Sequence, residues 1–377
     1  MMNSPTARPQ RHFTLCALPG DGIGPEIVRA AQQVMATLAK LHHFTVTWHE
    51  ALLGGVAYEA TGNPCPEATL ETAKQCQAIL LGAVGDPKFD GADVPPTLRP
   101  ERGLLAIRKA LGLYANIRPL KLYPQLGYLS PLKQERLEGV DFVMIRELTG
   151  GVYFGKPQEK SAHEALDSLR YTREEIERIV RLGFETAQRR PRKHLTSVDK
   201  ANVLYSSQLW REVVESLAPA YPDVTVQHLY VDNTAMQLIL NPKQFDVIVT
   251  ENMFGDILSD EAAVLAGSLG MLPSASLSMH ADMPSLYEPI HGSAPTLAGQ
   301  DIANPVATLL SVAMMLEYSL EAPEVALHLT QAIGEVLASG KLTADLLPVG
   351  STQVPMGTQA LTDAVCEALY RTAKLAC

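Results

Sequence analysis

The 377 residues carry 31 basic against 41 acidic side chains, a formal charge of -10, which argues against general binding to nucleic acid or anionic membrane and leaves only a local basic pocket open. With 46% hydrophobic and 6% aromatic residues the composition is that of a soluble globular protein, and the length favours two domains over one. Cys16, Cys65, Cys76, Cys366 and Cys377 are odd in number and form no close ligand pair, which suits a reducing, cytoplasmic setting, and no run reaches the roughly 18 apolar residues of a membrane helix.

Residues 1–12 hold two prolines and no apolar stretch, so they read as a disordered leader rather than a secretory signal, with at most a weak organellar address. Residues 13–18 form a short apolar run that meets Pro19-Gly-Asp-Gly-Ile-Gly-Pro, and a helix is predicted from Pro25, where proline suits the first turn. Strands are predicted at 44–49 and 78–81. Their alternation with helices points to an α/β protein with a mostly parallel sheet. Residues 141–146 and 245–250 repeat the pattern and end at Arg146 and Glu251-Asn252. Functional side chains are expected at the carboxyl ends of such strands. A helix is predicted over 254–265, a loop-like stretch over 270–277, an irregular one over 284–299, and helices over 304–318 and about 323–339. The apolar run 306–316 reads as a core helix.

The turn Gly20-Asp-Gly-Ile-Gly-Pro-Glu has neither the G-x-G-x-x-G spacing of a dinucleotide fingerprint nor the Lys-Ser/Thr of a P-loop. Its glycines serve either a tight strand-to-helix turn or close approach of backbone to a flat ligand. Arg99, Arg108, Arg118 and Arg146 form a basic set. Converging guanidinium groups would bind a di- or tricarboxylate bidentately, although most arginines are surface groups. Arg108, beside Leu104, Leu105 and Ile107, and Arg146, within Phe142-Val-Met-Ile-Arg-Glu, stand in apolar settings. Lys200 and Asp232 each abut an apolar segment and form either a proton relay or an ordinary ion pair. Tyr153, after Gly150-Gly151, either donates a proton or packs.

Asp256 and Asp260 would stack one turn apart on a helix, an arrangement suited to a hard divalent cation and equally to a solvated acidic helix start.

Four long, ordered segments carry a resemblance that runs from about Phe13 to the last helix. They are Gly20-Asp-Gly-Ile-Gly-Pro-Glu, Ser197-Val-Asp-Lys-Ala-Asn-Val-Leu, Asn252-Met-Phe-Gly-Asp-Ile-Leu-Ser-Asp-Glu and His291-Gly-Ser-Ala-Pro. The chain resembles the metal-dependent β-decarboxylating dehydrogenases, the isocitrate/isopropylmalate dehydrogenase family. The resemblance implies that family's two-domain α/β fold, distinct from a Rossmann fold, with residues 1–113 and 267–377 on the cofactor side and 114–266 for substrate, metal and dimerisation. It implies NAD-linked oxidation of a 2-hydroxy dicarboxylate, then loss of the β-carboxylate. Arg108, Arg118 and Arg146 would clamp carboxylates, and Tyr153 would protonate the enol. Lys200 with Asp232 would take the hydroxyl proton. Asp232, Asp256 and Asp260 would bind Mg2+ or Mn2+, with Lys200 and Asp232 supplied by the other subunit of a homodimer.

Ile23, Asn252, His291, Gly292, Ser293, Ala294, Pro295, Thr296, Leu297 and Asn304 match cofactor positions. Glu101, Leu104 and Leu105 resemble the pattern of members that accept an isopropyl group, and an apolar wall there cannot satisfy the third carboxylate of isocitrate. The implied activity is oxidation of 3-isopropylmalate in leucine biosynthesis. The alternatives are homoisocitrate, tartrate or malate derivatives, isocitrate, or an inactive regulatory subunit. Two departures stand out. Thr296 and Leu297 replace the expected aspartate after the Ser-Ala-Pro segment, and Asp86 replaces a glycine.

Overall fold

The computed structural model describes residues 11–91 and 94–375, so residues 1–10 of the expected leader lie outside the described residues. The chain forms two compact units, one built from the described parts of Met1–Leu104, Gly292–Thr343 and Pro355–Cys377, the other from Leu105–His291 and Ala344–Val354.

In the first unit, β1 (His12–Gly20), α1 (Gly24–His42) and β2 (Thr45–Glu50) are followed by the short helices α2 (Gly55–Thr61) and α3 (Glu67–Lys74) and by β3 (Ala78–Ala83). β1 is parallel to both β2 and β3, with Cys16 opposite His49 and Ile79. Proline in the first turn starts α1. Ile27, Val28, Ala31, Val34, Met35 and Leu38 then recur at helical spacing and are all buried. Burial of each large side chain among them contributes roughly 1.5–3 kcal/mol against the entropy of ordering it.

α4 (Pro100–Ala110) carries the chain into the second unit, where β4 (Leu113–Lys121), α5 (Gln134–Leu137) and β5 (Asp141–Glu147) precede a hairpin of β6 (Gln158–Lys160) and β7 (Ala165–Asp167). Next come α6 (Arg173–Arg189), β8 (His194–Asp199), α7 (Tyr205–Leu217), β9 (Thr225–Tyr230), α8 (Val231–Leu240), β10 (Val247–Thr250), α9 (Asn252–Ala263), β11 (Pro273–Ser278) and β12 (Ser285–Pro289). Thr172 and Glu175 start α6 with a capping box. The strands run in the order β12-β11-β4-β5-β10-β8-β9. They are antiparallel from β12 to β5 and parallel from β5 to β9. Phe142, Met144, Phe245, Ile248 and Leu258 lie at the centre of this unit's core.

The chain then returns to the first unit as α10 (Val306–Tyr318), α11 (Pro323–Ala338) and α12 (Thr358–Leu375). Every residue of α10 from Val306 to Leu316 is buried, as expected of a core helix, and no described helix is long and apolar enough to cross a membrane. Cys16, Cys65, Cys76 and Cys366 are buried free thiols.

Three sequence expectations need amendment. The loop expected at 270–277 contains β11, and the irregular stretch at 284–299 contains β12. Pro, Ser and Ala have low strand propensity. Antiparallel pairing of β11 with both β4 and β12 overrides it. That pairing also draws the segment into the second unit, so the units divide at Leu104/Leu105 and His291/Gly292 rather than at 113/114 and 266/267.

The glycine turn after β1 is held by its own carboxylate. Gly20 and Gly22 have φ of +71° and +55°, and a Cβ on either would fall 1.9 Å from Ala83 O and 2.0 Å from Ser293 O respectively. Between them the buried Asp21 accepts 2.8 Å hydrogen bonds from the backbone N–H groups of Gly55, Val56 and Gly85. Asp21→Ala would orphan three donors and is expected to lower stability by about 2–5 kcal/mol, measured as the urea midpoint at constant slope. A change below about 0.5 kcal/mol would show that the turn holds without it.

Candidate active site

The register of the second unit places Arg118 and Arg146 on one sheet face. Across β12, β11 and β4, Glu288 lies opposite Ser274, and Ser276 lies opposite Asn116; Asn116 in turn lies opposite Arg146 on β5. Arg118, two residues beyond Asn116 on β4, shares its face because side chains alternate along a strand. α9 packs over β4 and β5 and brings its aspartates to these arginines.

Arg146 donates to Asp256 Oδ1 through Nη1, and to Asn252 Oδ1 through Nε and Nη2 at 3.0 and 2.8 Å. Gly255 permits this approach, since a Cβ there would meet Arg146 Cβ and Cγ at 2.7 Å. Arg118 donates through Nε to Asn116 Oδ1 at 2.8 Å, and through Nη1 to Ser259 Oγ at 2.7 Å and Asp260 Oδ1 at 3.0 Å. Arg108 is paired with Glu288 at 2.6 Å. Burial pulls the Arg146 pKa down, Asp256 opposes the shift, and the nearby Arg118 and Arg108 add to it. Each of the three guanidinium groups is thus paired with one carboxylate.

Tyr153 donates to the other oxygen of Asp256 at 2.8 Å, and its ring lies under Arg146 with the guanidinium carbon 5.9 Å from the centroid. Burial raises its pKa, with the hydrogen bond and charge of Asp256 adding to the effect, so the phenol stays protonated at neutral pH.

Lys200 and Asp232 sit at the carboxyl ends of adjacent strands. Lys200 follows β8 and Asp232 stands in the first turn of α8 after β9. Their Nζ–Oδ1 distance is 2.9 Å, and Lys200 also lies 5.9 Å from the Tyr230 ring. The hydrogen bond from Lys200 holds the Asp232 carboxyl below its usual range. Within one chain Lys200 lies two strands from Arg146 and Asp232 about three, which at the usual strand spacing is roughly 10–15 Å. Accordingly, among the described residues no three His, Cys, Asp or Glu side chains converge as a metal cage. Asp256 and Asp260 give one chain two carboxylates a helical turn apart, with the Asp260 side chain 73% exposed. That donor set fits Mg2+ or Mn2+, which retain waters and take hard oxygen ligands.

On α4, Glu101, Leu104, Leu105 and Arg108 fall three or four residues apart on one face, and Leu105 is 39% exposed. In the first unit the Gly292–Leu297 segment lies against the turn after β1. Ile23 N–H donates to Ser293 O at 2.8 Å, Ser293 Oγ donates to Gly85 O, and Ile23 packs with Ile27, Ala303 and Ala294. Asn304 is buried and caps Val306 N–H, whereas Thr296 is exposed, so Ile23, Ser293, Ala294 and the start of α10 form one group. Asn252 and His291 belong to the second unit. The Asn252 amide is engaged by Arg146 and by Gly150 O at 3.0 Å. Asp86 caps the turn Pro87–Phe89 by accepting from Lys88 N–H, which accounts for the residue locally.

The sequence reading missed Glu288, Asn116, Ser259 and Tyr171, and it placed Glu251 at a functional strand end without a role. Glu251 caps α9 at Phe254 N–H, and Tyr171 OH bridges Glu251 and Asn252 N–H, fixing the helix start that carries Asn252. Only Asn116 left a signal, its i, i+2 spacing to Arg118.

A model of the isocitrate/isopropylmalate dehydrogenase family matches residues 14–365. The chain is 55% identical over 347 residues to a 3-isopropylmalate dehydrogenase of Carboxydothermus hydrogenoformans, covering 91% of each chain. It is likewise 55% identical over 357 residues to one of Xanthomonas campestris pv. campestris, covering 93% of this chain and 98% of that one. Among solved structures, isocitrate dehydrogenase from Methylococcus capsulatus superposes with a TM-score of 0.80 at 35% identity, covering 95% of this chain and 99% of that one. A β-decarboxylating dehydrogenase from Thermococcus kodakarensis does so with a TM-score of 0.78 at 33% identity, covering 96% and 98%.

Proposed function

Because the chain belongs to the isocitrate/isopropylmalate dehydrogenase family, we propose that its site carries out the NAD-linked oxidative decarboxylation of 3-isopropylmalate to 4-methyl-2-oxopentanoate in leucine biosynthesis. The observation that carries this reading is the single polar sheet face on which Arg118 and Arg146 meet Asp256 and Asp260, with Tyr153 on the same carboxylate as Arg146.

Arg108, Arg118 and Arg146 bind the two carboxylates of the substrate and fix its orientation. Leu104 and Leu105, one turn from Arg108, receive the isopropyl group, with Glu101 a turn further toward the helix start. Lys200 in its neutral form, held by Asp232, accepts the proton of the 2-hydroxyl as hydride leaves for the nicotinamide. After the β-carboxylate departs, the protonated Tyr153 donates to the enol carbon. Asp256, Asp260 and Asp232 would hold Mg2+ or Mn2+, which when bound supplies Lewis-acid polarisation of the hydroxyl and keto oxygens. Ile23, Gly292, Ser293, Ala294, Pro295, Thr296, Leu297 and Asn304, all of the first unit, bind NAD+.

A second copy of the chain completes the site. The exposed stripe of α8 carries Asp232 together with Met236, Ile239 and Leu240, and that of α9 carries Asp260 with Ile257, Val264 following at its end. Docking of these faces would bring a partner's lysine–aspartate pair onto Asp256 and Asp260. The exposed β6–β7 hairpin, too small to be stable alone, is a second element suited to such a partner.

Steady-state rates for isopropylmalate, isocitrate, homoisocitrate and malate with NAD+ and Mg2+ test the substrate. Isopropylmalate is expected to give the highest kcat/KM, and a clear preference for isocitrate would overturn the reading. Thr296→Asp is expected to tighten NAD+ by about tenfold, because a carboxylate accepts from both ribose hydroxyls where threonine offers one oxygen. The same charge would exclude NADP+ by facing its 2'-phosphate. If kcat/KM for the two cofactors keeps its native ratio in the variant, Thr296 does not read the ribose.

A further inference from the structure

We infer that Asn116 and Asn252 are the positioning residues of the arginine clamp, each holding one guanidinium through a neutral oxygen while leaving its positive charge for the substrate. The inference rests on the clamp reading given above.

Both asparagines are 1% exposed. Their amide nitrogens are tied to acceptors on the side away from the arginines. Asn116 Nδ2 donates to Ser274 Oγ at 2.7 Å, and to Ala275 O and Ser276 Oγ at 3.3 Å. Asn252 Nδ2 donates to Gly150 O at 3.0 Å. Only Oδ1 remains to face the guanidinium, which has donors and no acceptor.

The two arrangements are alike although they arise on different elements. Asn116 is a strand residue lying opposite Arg146 and two positions before Arg118, which it holds through Nε. Asn252 is the first residue of α9 and holds Arg146 through Nε and Nη2.

Neutrality matters because the clamp residues are already partly discharged. Asp256 pairs with Arg146, Asp260 with Arg118 and Glu288 with Arg108. A fourth carboxylate beside these groups would compete with the substrate's own, whereas an amide oxygen fixes the orientation of the fork without neutralising it. Orientation alone carries weight here, since a bidentate pair requires the planar fork to lie in the plane of the carboxylate.

Asn116→Asp and Asn252→Asp preserve side-chain shape and test the idea on the full-length enzyme. Each is expected to raise KM for isopropylmalate by roughly 10- to 100-fold, with a much smaller change in kcat, because a clamp contributes to ground-state and transition-state binding alike. KM for NAD+ should stay within about twofold, an outcome that a cofactor contact or a general loss of structure at Asn252 would not give. Ser274→Ala covers the case in which a buried aspartate prevents folding. It removes the 2.7 Å acceptor that fixes the Asn116 amide, and it is expected to raise the same KM several-fold.

Arg118→Lys and Arg146→Lys separate the two levels of the argument. If the arginine variants raise KM for isopropylmalate and the folded asparagine and Ser274 variants do not, the positioning roles are overturned and the clamp stands. If the arginine variants leave KM unchanged, the clamp itself fails and the positioning roles fail with it.

Discussion

Lys200→Met is expected to lower kcat by about 10²- to 10⁴-fold, the usual size of a general acid–base contribution, while KM for NAD+ stays nearly constant. Methionine approximates the length and bulk of the lysine stem and carries no transferable proton. The chain holds Lys200 by its backbone, with its N–H on Ser207 Oγ at 3.0 Å and its carbonyl closing the turn to Val203 and Leu204, so the substituted side chain would start from the same place. Its ion pair with Asp232 is largely in solvent, the Asp232 side chain being 64% exposed, and exposed pairs contribute little to folding. The loss should therefore appear in turnover and not in the melting temperature. Because the hydrogen bond from Lys200 is the main cause of the depressed Asp232 pKa, the variant should let that carboxyl rise toward its ordinary value. The small stability linked to Asp232 is present above the unfolded carboxylate pKa and fades as pH falls through the folded one; in the variant that dependence should shrink. Native turnover in a folded Lys200→Met protein would remove the lysine from the mechanism.

Strand ends and helix starts that carry chemistry were legible because each lies where an apolar run stops. Residues 141–146 and 245–250 are short apolar segments, and the chain leaves the sheet just past Arg146, after Glu147, and at Glu251. The i, i+4 aspartates of α9 were legible for a similar reason, since helical periodicity alone puts them on one face. Register across strands is different. That Ser276, Asn116 and Arg146 form one row depends on how β11, β4 and β5 slide against one another, and nothing local to any of the three segments encodes it. β4 itself, Leu-Tyr-Ala-Asn-Ile-Arg-Pro-Leu-Lys, alternates Leu113, Ala115 and Ile117 with Tyr114, Asn116 and Arg118, but Pro119 interrupts the run and argues against a strand. Alternation of that kind reads as a strand with one solvated face, whereas here the polar row of Asn116 and Arg118 lies under α9.

Asp256→Asn should weaken Mn2+ binding by roughly 10- to 100-fold in a calorimetric titration, because the substitution keeps an acceptor oxygen and removes a liganding charge. Asp256 also links Arg146 to Tyr153. One oxygen is paired with Arg146, the other accepts from Tyr153, and the side chain still reaches solvent at 37% exposure. Removing the charge leaves the buried Arg146 guanidinium with Asn252 as its main partner, so a stability loss of about 1 kcal/mol is expected after allowing for solvent screening. It also withdraws the hydrogen bond and charge that add to burial in raising the Tyr153 pKa, so the phenol should ionise at lower pH in the variant, visible as tyrosinate absorbance. The three readouts distinguish the roles. A metal ligand alone would move the calorimetry and leave the phenol titration of the metal-free protein unchanged. An anchor alone would move the phenol and the stability and leave Mn2+ affinity equal in the two proteins. Equal affinities would thus strike Asp256 from the metal site while preserving it as the residue that sets Arg146 and Tyr153 against each other.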